Sequence, residues 1–194
     1  MGRTRAYDEN TVLSGAMHAF RRKGYLGVSI RDLEQATGLK LGSIYNSYGD
    51  KEGLFKAAFT HYLGAVLRRR IADHAPAASG LAGLRGLFLS LLREPDGGSF
   101  GCLITNAAVE FGGDGPCPAG VGDGLRILSE TFADRLAAAR RGGRLRGGVN
   151  VHVAASKLLA LYQGILVLVR GGHDKAALRR LINDEFDLLE GKRT

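Results

Sequence analysis

The sequence predicts an all-α chain with an N-terminal three-helix unit and a larger helical body, about nine helices in total. Three observations predict it. Apolar residues recur at three- and four-residue spacing in one segment after another from residue 8 to residue 189. No segment alternates apolar and polar side chains, as a half-buried strand would. Glycine- and proline-containing stretches, such as 94–101 and 112–124, fall between the periodic segments, where chain breakers belong.

The first helix covers Asp8 to Lys23, with Val12, Leu13, Ala16, Met17 and Phe20 on one stripe, and Gly24-Tyr25 ends it. Ser29 then precedes Ile30, Leu33 and Ala36; its hydroxyl suits an N-cap, and Asp32 suits the positive end of that helix. Gly38 closes the helix, as glycine does at a left-handed position, and Leu39 tucks under the turn. A third short helix runs from about Leu41 to Tyr48, with Ile44 and Tyr48 inward. Tyr48, so placed, needs a partner for its hydroxyl. Gly49-Asp50 breaks the chain, and Asp50 caps a long helix to about Asp73 carrying Leu54, Phe55, Ala58, Phe59, Tyr62 and Val66. Pro76 and Ser79 interrupt the pattern. Gly80 to Arg93 follows, then a loop at 94–101, a short helix from Cys102 to Phe111, and a connection at 112–124. Leu125 to Arg141, Val149 to Arg170 and Lys175 to Leu189 complete the set. The two parts divide as 1–52 and 53–194.

Two short helices joined by a glycine-containing turn form a helix-turn-helix, whose second helix enters the major groove of DNA. The outer face of residues 41–48 shows Gly42, Ser43, Tyr45, Asn46 and Ser47, with Lys40 just before it. Base-edge candidates are Arg31, Ser43, Tyr45 and Asn46, since Arg suits guanine, Asn suits adenine and Tyr can lie against a thymine methyl. Phosphate candidates are Ser29, Lys40, Ser47 and Lys51, which would fix register without reading sequence. Gly42 contributes by having no side chain. Tyr45 has an equal reading as a packing residue, and Arg31 an alternative as the partner of Glu34. Arg3 and Arg5 precede the first helix and could reach the minor groove.

The run GLKLGSIYNSYGDKEGLF resembles the signature of TetR-type transcriptional regulators, in which a GxxxGxxYxxFxxKxxL pattern recurs; Tyr48 stands where that pattern has Phe. The resemblance is close over residues 7–60 and looser beyond. It implies a repressor that binds a palindromic double-stranded DNA operator as a homodimer and is released by a small-molecule effector. The two last helices would pair with those of a second copy, through Leu158, Leu159, Tyr162, Ile165, Val169, Leu178, Leu181, Ile182 and Phe186. An effector pocket would involve Leu67, Phe88, Phe100, Cys102, Leu103, Asn106, Glu110, Phe132, Tyr162, Gln163 and Leu166. Core packing is the competing reading of each of these. Cys102 begins a helix, where thiol pKa is lowered, so a redox- or electrophile-sensing repressor is one alternative. A sequence-indifferent DNA binder is another.

Composition fits these readings. The net charge is +8, which favours an anionic partner without naming it. Residues 1–51 hold eight basic and five acidic side chains; further positive charge lies at Arg68-Arg69-Arg70 and across Arg140, Arg141, Arg144 and Arg146, where a solvated face or a helix C-terminus also accounts for it. No N-terminal apolar core suggests a signal peptide, and no unbroken run approaches the roughly 18 apolar residues of a membrane span, so a cytoplasmic location and no membrane partner are expected. Cys102 and Cys117 form no CxxC, so neither metal nor cofactor is expected. The five histidines are scattered, and Gly120 to Gly124 follows no strand, so neither suggests an enzyme.

Overall fold

A computed structural model describes residues 8–93 and 100–192. Arg3, Arg5 and most of the 94–101 loop lie outside them. Among the described residues the chain is helical without strands, in nine helices. These are α1 (Glu9–Gly27), α2 (Ile30–Thr37), α3 (Leu41–Tyr48), α4 (51–74), α5 (Gly80–Ser90), α6 (Leu103–Phe111), α7 (Pro118–Arg141), α8 (Val151–Arg170) and α9 (Lys175–Glu190). The all-α expectation holds.

Helix starts follow local chemistry. The carboxylate of Asp8 accepts from the amides of Asn10 and Thr11, both at 3.2 Å. Asp50 accepts from Gly53 N at 2.7 Å, and Asp174 from Ala176 N and Ala177 N, both at 3.0 Å. Asn150 does the same for His152 and Val153. Each satisfies amides that the first turn leaves without a partner. Within α1, Gly24 turns away from helical geometry at φ 76°, where the sequence placed the end.

Two elements differ from the sequence reading. Helix α7 begins at Pro118, inside the stretch expected to be a connection. Proline at the first helical position carries no amide needing a partner. A side chain at Gly120 would meet Phe59 Cδ1 at 2.9 Å, so glycine there serves close packing and not flexibility. Second, α4 is not α-helical throughout: Tyr62–Arg68 forms a π-helix between Lys51–His61 and Arg69–His74.

Helix α8 is more apolar than its interrupted sequence suggests. Over 18 residues its mean hydropathy is 1.6, long and apolar enough to span by those measures. Unbroken runs hide this, because polar residues such as Ser156, Lys157 and Gln163 interrupt a helix that is apolar on average. One such helix is weak evidence for a span, since a core helix of a soluble protein passes the same test.

The chain forms two compact units: residues 1–66 with 102–122, and residues 67–101 with 123–194. The core of the first is built from Val12, Ala16, Met17, Phe20, Leu33, Ile44, Leu54, Phe55 and Phe59, all at most 2 % exposed. Phe55 lies edge-on to Phe20 at 4.9 Å and to Tyr25 at 5.1 Å. The second unit centres on Phe88, whose ring is 5.6 Å from Phe132 and 5.3 Å from both Tyr162 and Phe186. Arg85 joins α5 to α9 by ion pairs to Asp187 at 2.7 Å and Glu190 at 3.3 Å.

Candidate nucleic-acid interface

The geometry of α2 and α3 is set by contacts beneath and between them. Gly15 lets α1 lie directly against the last turn of α2; a Cβ there would collide with the Ala36 carbonyl oxygen and stand 2.8 Å from its carbon. Ser29 and Asp32 form a reciprocal capping box. Lys23, at the end of α1, pairs with Asp32 at 2.6 Å. The Lys23 ammonium, with hydrogen bonds from the amide and hydroxyl of Ser29, holds the Asp32 carboxyl well below the usual carboxylate range. The turn is locked from inside: the buried Thr37 hydroxyl donates to Leu33 O at 2.6 Å and accepts from Leu39 N at 3.2 Å. Gly38 takes φ 71°. Lys40 offers α3 no side-chain cap, and Glu34 supplies one from α2, accepting from Leu41 N at 2.8 Å. Behind α3, Gly53 passes so close to Tyr48 that a Cβ would stand 3.0 Å from its carbonyl carbon.

That scaffold turns one face of α3 outward. Ile44 is fully buried, whereas Gly42, Ser43, Tyr45 and Asn46 are exposed, as are Lys40 before the helix and Arg31 on α2. Tyr45 is 46 % exposed, so its ring is only partly used for packing. Ser47 and Tyr48 are half-buried. Glu34 spends a carboxylate oxygen on the start of α3, and among the ion pairs of the described residues there is none between Arg31 and Glu34. Two of the phosphate candidates have local engagements. The Ser29 hydroxyl serves the capping box. Lys51 is half-buried with its Nζ 4.7 Å from the centre of the Tyr25 ring, and burial lowers its pKa against the opposing charge of Glu110.

Helix α6 docks on α1 through two polar side chains that the sequence reading placed in an effector pocket. Glu110 accepts from Tyr25 N at 2.9 Å and Leu26 N at 2.7 Å, and Asn106 donates to Arg21 O at 3.1 Å. A side chain at Gly24 would press on the Glu110 carboxylate at 2.9 Å. Cys102, at the start of α6, is buried and its sulfur accepts from the Tyr62 hydroxyl at 3.0 Å. Leu103 is buried in the same unit. Leu67, Phe88, Phe132, Tyr162 and Leu166 are buried in the second unit, while Phe100 and Gln163 are half-buried.

The proposed partner surface on α8 and α9 divides similarly. Leu158, Tyr162, Ile165, Val169, Leu178, Ile182 and Phe186 are covered by the chain's own helices. Leu159 is half-buried and Leu181 is 44 % exposed. The other exposed large apolar residues of these helices are Val153, Val167, Leu168 and Leu188. Among the described residues no group of three His, Cys, Asp or Glu is placed to hold a metal ion.

The sequence reading missed Gly15, Gly53 and the Glu34 cap. A signal existed for the glycines: each sits inside a helical pattern, where glycine costs about 1 kcal/mol against alanine and so calls for a packing reason. Glu34 had none, because its partner is created by the turn.

Comparison with known proteins agrees with this geometry. Residues 12–58 match the family described as bacterial regulatory proteins, tetR family, and residues 80–184 match the tetracyclin repressor-like C-terminal domain. The HTH-type transcriptional repressor Rv1474c of Mycobacterium tuberculosis is 27 % identical over 174 residues, covering 89 % of this chain and 87 % of its own. The repressor AcnR of Corynebacterium efficiens is 27 % identical over 172 residues, with 89 % and 87 % covered. Among solved structures, a cysteine mutant of the TetR family regulator CifR, complexed with 26-bp operator DNA, superposes with a TM-score of 0.79 at 26 % identity, covering 95 % of this chain and 98 % of that one. A TetR regulator from Chloroflexus aurantiacus gives 0.78 at 26 % identity, with 93 % of each chain covered. The helix-turn-helix, the helical body and both family matches lead to one conclusion: this chain belongs to the tetR family of bacterial regulatory proteins.

Proposed function

We propose that the protein is a transcriptional repressor that reads a palindromic operator through α3, binds it as a homodimer and releases it when a small molecule binds the helical body. One observation carries the DNA-reading part: Ile44 anchors α3 while Gly42, Ser43, Tyr45 and Asn46 stand outward on one face. That face is slim enough for the major groove and carries donors and acceptors for base edges. Lys40 supplies a phosphate contact beside it. Repression is the activity for which relatives such as Rv1474c and AcnR are named, and CifR is the neighbour seen on operator DNA.

A single recognition helix reads only a few base pairs, so a two-fold pair is needed for a full site. The apolar residues left exposed on α8 and α9, Val153, Val167, Leu168, Leu181 and Leu188, form the surface we assign to the partner copy. Such residues scattered singly are ordinary, and five of them on two helices support this assignment. An effector acts by binding the DNA-incompetent geometry more tightly; equal affinity for both would change nothing. The protein works in the cytoplasm, where its operator is, and its part is binding rather than catalysis.

The test is selection of bound fragments from the source genome by purified protein at two salt concentrations. A palindromic motif bound about a thousandfold or more over random DNA supports the repressor reading. Broad binding erased by salt supports a sequence-indifferent binder instead.

A further inference from the structure

We propose that the turn joining α7 to α8 is a binding site for a small organic phosphate, separate from the DNA-reading face. Residues 135–173 contain seven arginines and lysines and no aspartate or glutamate. Two other arginines of this unit are neutralised in place: Arg126 lies between Asp123 and Glu130, and Arg85 between Asp187 and Glu190. Arg141, Arg144 and Arg146 are exposed and make no ion pair among the described residues. Complementing the negative end of α7 accounts for part of the role of Arg140 and Arg141; Arg144 and Arg146, beyond the helix, lie outside the cavity lining and add to the positive charge of the turn, and His152 adds a donor from the next helix.

The turn is held at both ends. The Arg140 guanidinium donates to the Val149 carbonyl, and Arg146 N donates to Leu189 O at 2.8 Å. Gly143 and Gly148, at φ 65° and 77°, make the reversals, and nothing stands within 4 Å of where their side chains would be. Beside this turn is an open cavity of about 360 Å³. Ala133, Ala137 and Val151 give it apolar wall, Arg140, Arg141 and His152 give it donors, and Asp134 is the one carboxylate in its lining.

The chemistry favours phosphate over carboxylate. Guanidinium groups present planar forks that match phosphate oxygens. Those forks match carboxylates too, so charge decides: Arg140 and Arg141 outweigh Asp134 and leave the lining net positive, and a doubly charged phosphate is drawn to it more strongly than a singly charged carboxylate. The volume exceeds what inorganic phosphate fills, and the apolar wall suits an organic body.

Isothermal titration of the full-length protein with a nucleoside monophosphate, inorganic phosphate and the phosphate-free nucleoside tests this. The monophosphate is expected to bind more tightly than inorganic phosphate, and the nucleoside not to bind. Arg141→Ala should weaken binding about tenfold or more, and Asp134→Asn should tighten it several-fold. Arg179→Ala, which removes an equal charge from an exposed site on α9, should change nothing. The proposal is overturned by no binding of the monophosphate, by equal losses from Arg141→Ala and Arg179→Ala, or by absence of tightening in Asp134→Asn. Random duplex DNA that displaces the monophosphate from wild type but not from Arg141→Ala would make the turn a nucleic-acid surface, which also overturns it. Operator affinity of Arg141→Ala should stay at the wild-type level, so failure of this site and failure of DNA reading are separately visible.

Discussion

The two compact units carry unequal shares of the chain's positive charge. Residues 1–66 and 102–122, which include the helix-turn-helix, hold nine basic and eight acidic side chains; the remainder holds 18 basic and 11 acidic. The unit that reads DNA is therefore almost neutral, and the basic excess lies in the other. Bulk charge does not locate the interface. What supports the reading of α3 as that interface is the exposure of a short helix whose carboxylate neighbours are already used: Asp32 by Lys23 and Ser29, Glu34 by Leu41 N, and Asp50 by Gly53 N. The packing differs in kind as well. Both units hold a ring cluster, Phe20, Tyr25, Phe55 and Phe59 in the first and Phe88, Phe132, Tyr162 and Phe186 in the second; the first adds Gly15 and Gly53, where helix meets helix too closely for a side chain.

Five substitutions would break or sharpen this contrast. The largest effect is expected from Phe88→Ala, which removes the fully buried hub of the aromatic cluster. The loss is about 3–5 kcal/mol, read as a fall of the thermal midpoint by roughly 2–4 °C per kcal/mol. A midpoint within a degree of wild type would mean the cluster is not the centre of that unit. Gly15→Ala comes next, at about 1–3 kcal/mol. It forces α1 away from the Ala36 carbonyl, so operator binding should be lost even where the protein remains folded by circular dichroism. Unchanged operator affinity would show that α2 tolerates the shift.

Smaller effects separate the roles on the DNA face. Asn46→Ala should cost about 1–3 kcal/mol on the cognate site and relax preference at one base position, whereas Lys40→Ala should weaken all sequences alike and lower the salt slope by about one. Equal behaviour of the two on cognate and random duplexes, measured by fluorescence anisotropy, would remove the distinction between base and phosphate contacts. The smallest change is expected from Asp32→Asn. The folded-state pKa of Asp32 is depressed, so its contribution is present above the usual carboxylate range, near pH 4, and is lost as the pH falls through and below it. The substituted protein should lose stability at neutral pH and show a flatter acid limb. An acid limb identical to wild type would mean that the Lys23–Asp32–Ser29 contacts contribute nothing measurable.

The sequence by itself determined most of the elements, the start of α7 at Pro118 and the π-helical turns Tyr62–Arg68 excepted. Ser29, Gly38 and Asp50 fixed where α2 and α4 begin and where α2 ends, because caps and left-handed turns are decided by a few neighbouring residues. The outward set on α3 was legible for the same reason: a single inward Ile44 at helical spacing leaves the other side to solvent. Only the tertiary structure decided what each exposed or inward residue meets. Glu110 and Asn106 read as pocket groups and instead hold the end of α1, 85 residues away in sequence for Glu110 and Tyr25. Leu158, Ile165 and Ile182 read as an interface and are consumed by the chain's own core, leaving Val167, Leu168, Leu181 and Leu188 outside. Periodicity gives the direction of a side chain around its helix axis. It does not say which neighbouring helix, or whether any, lies in that direction, because the choice is made by packing between segments far apart in the chain.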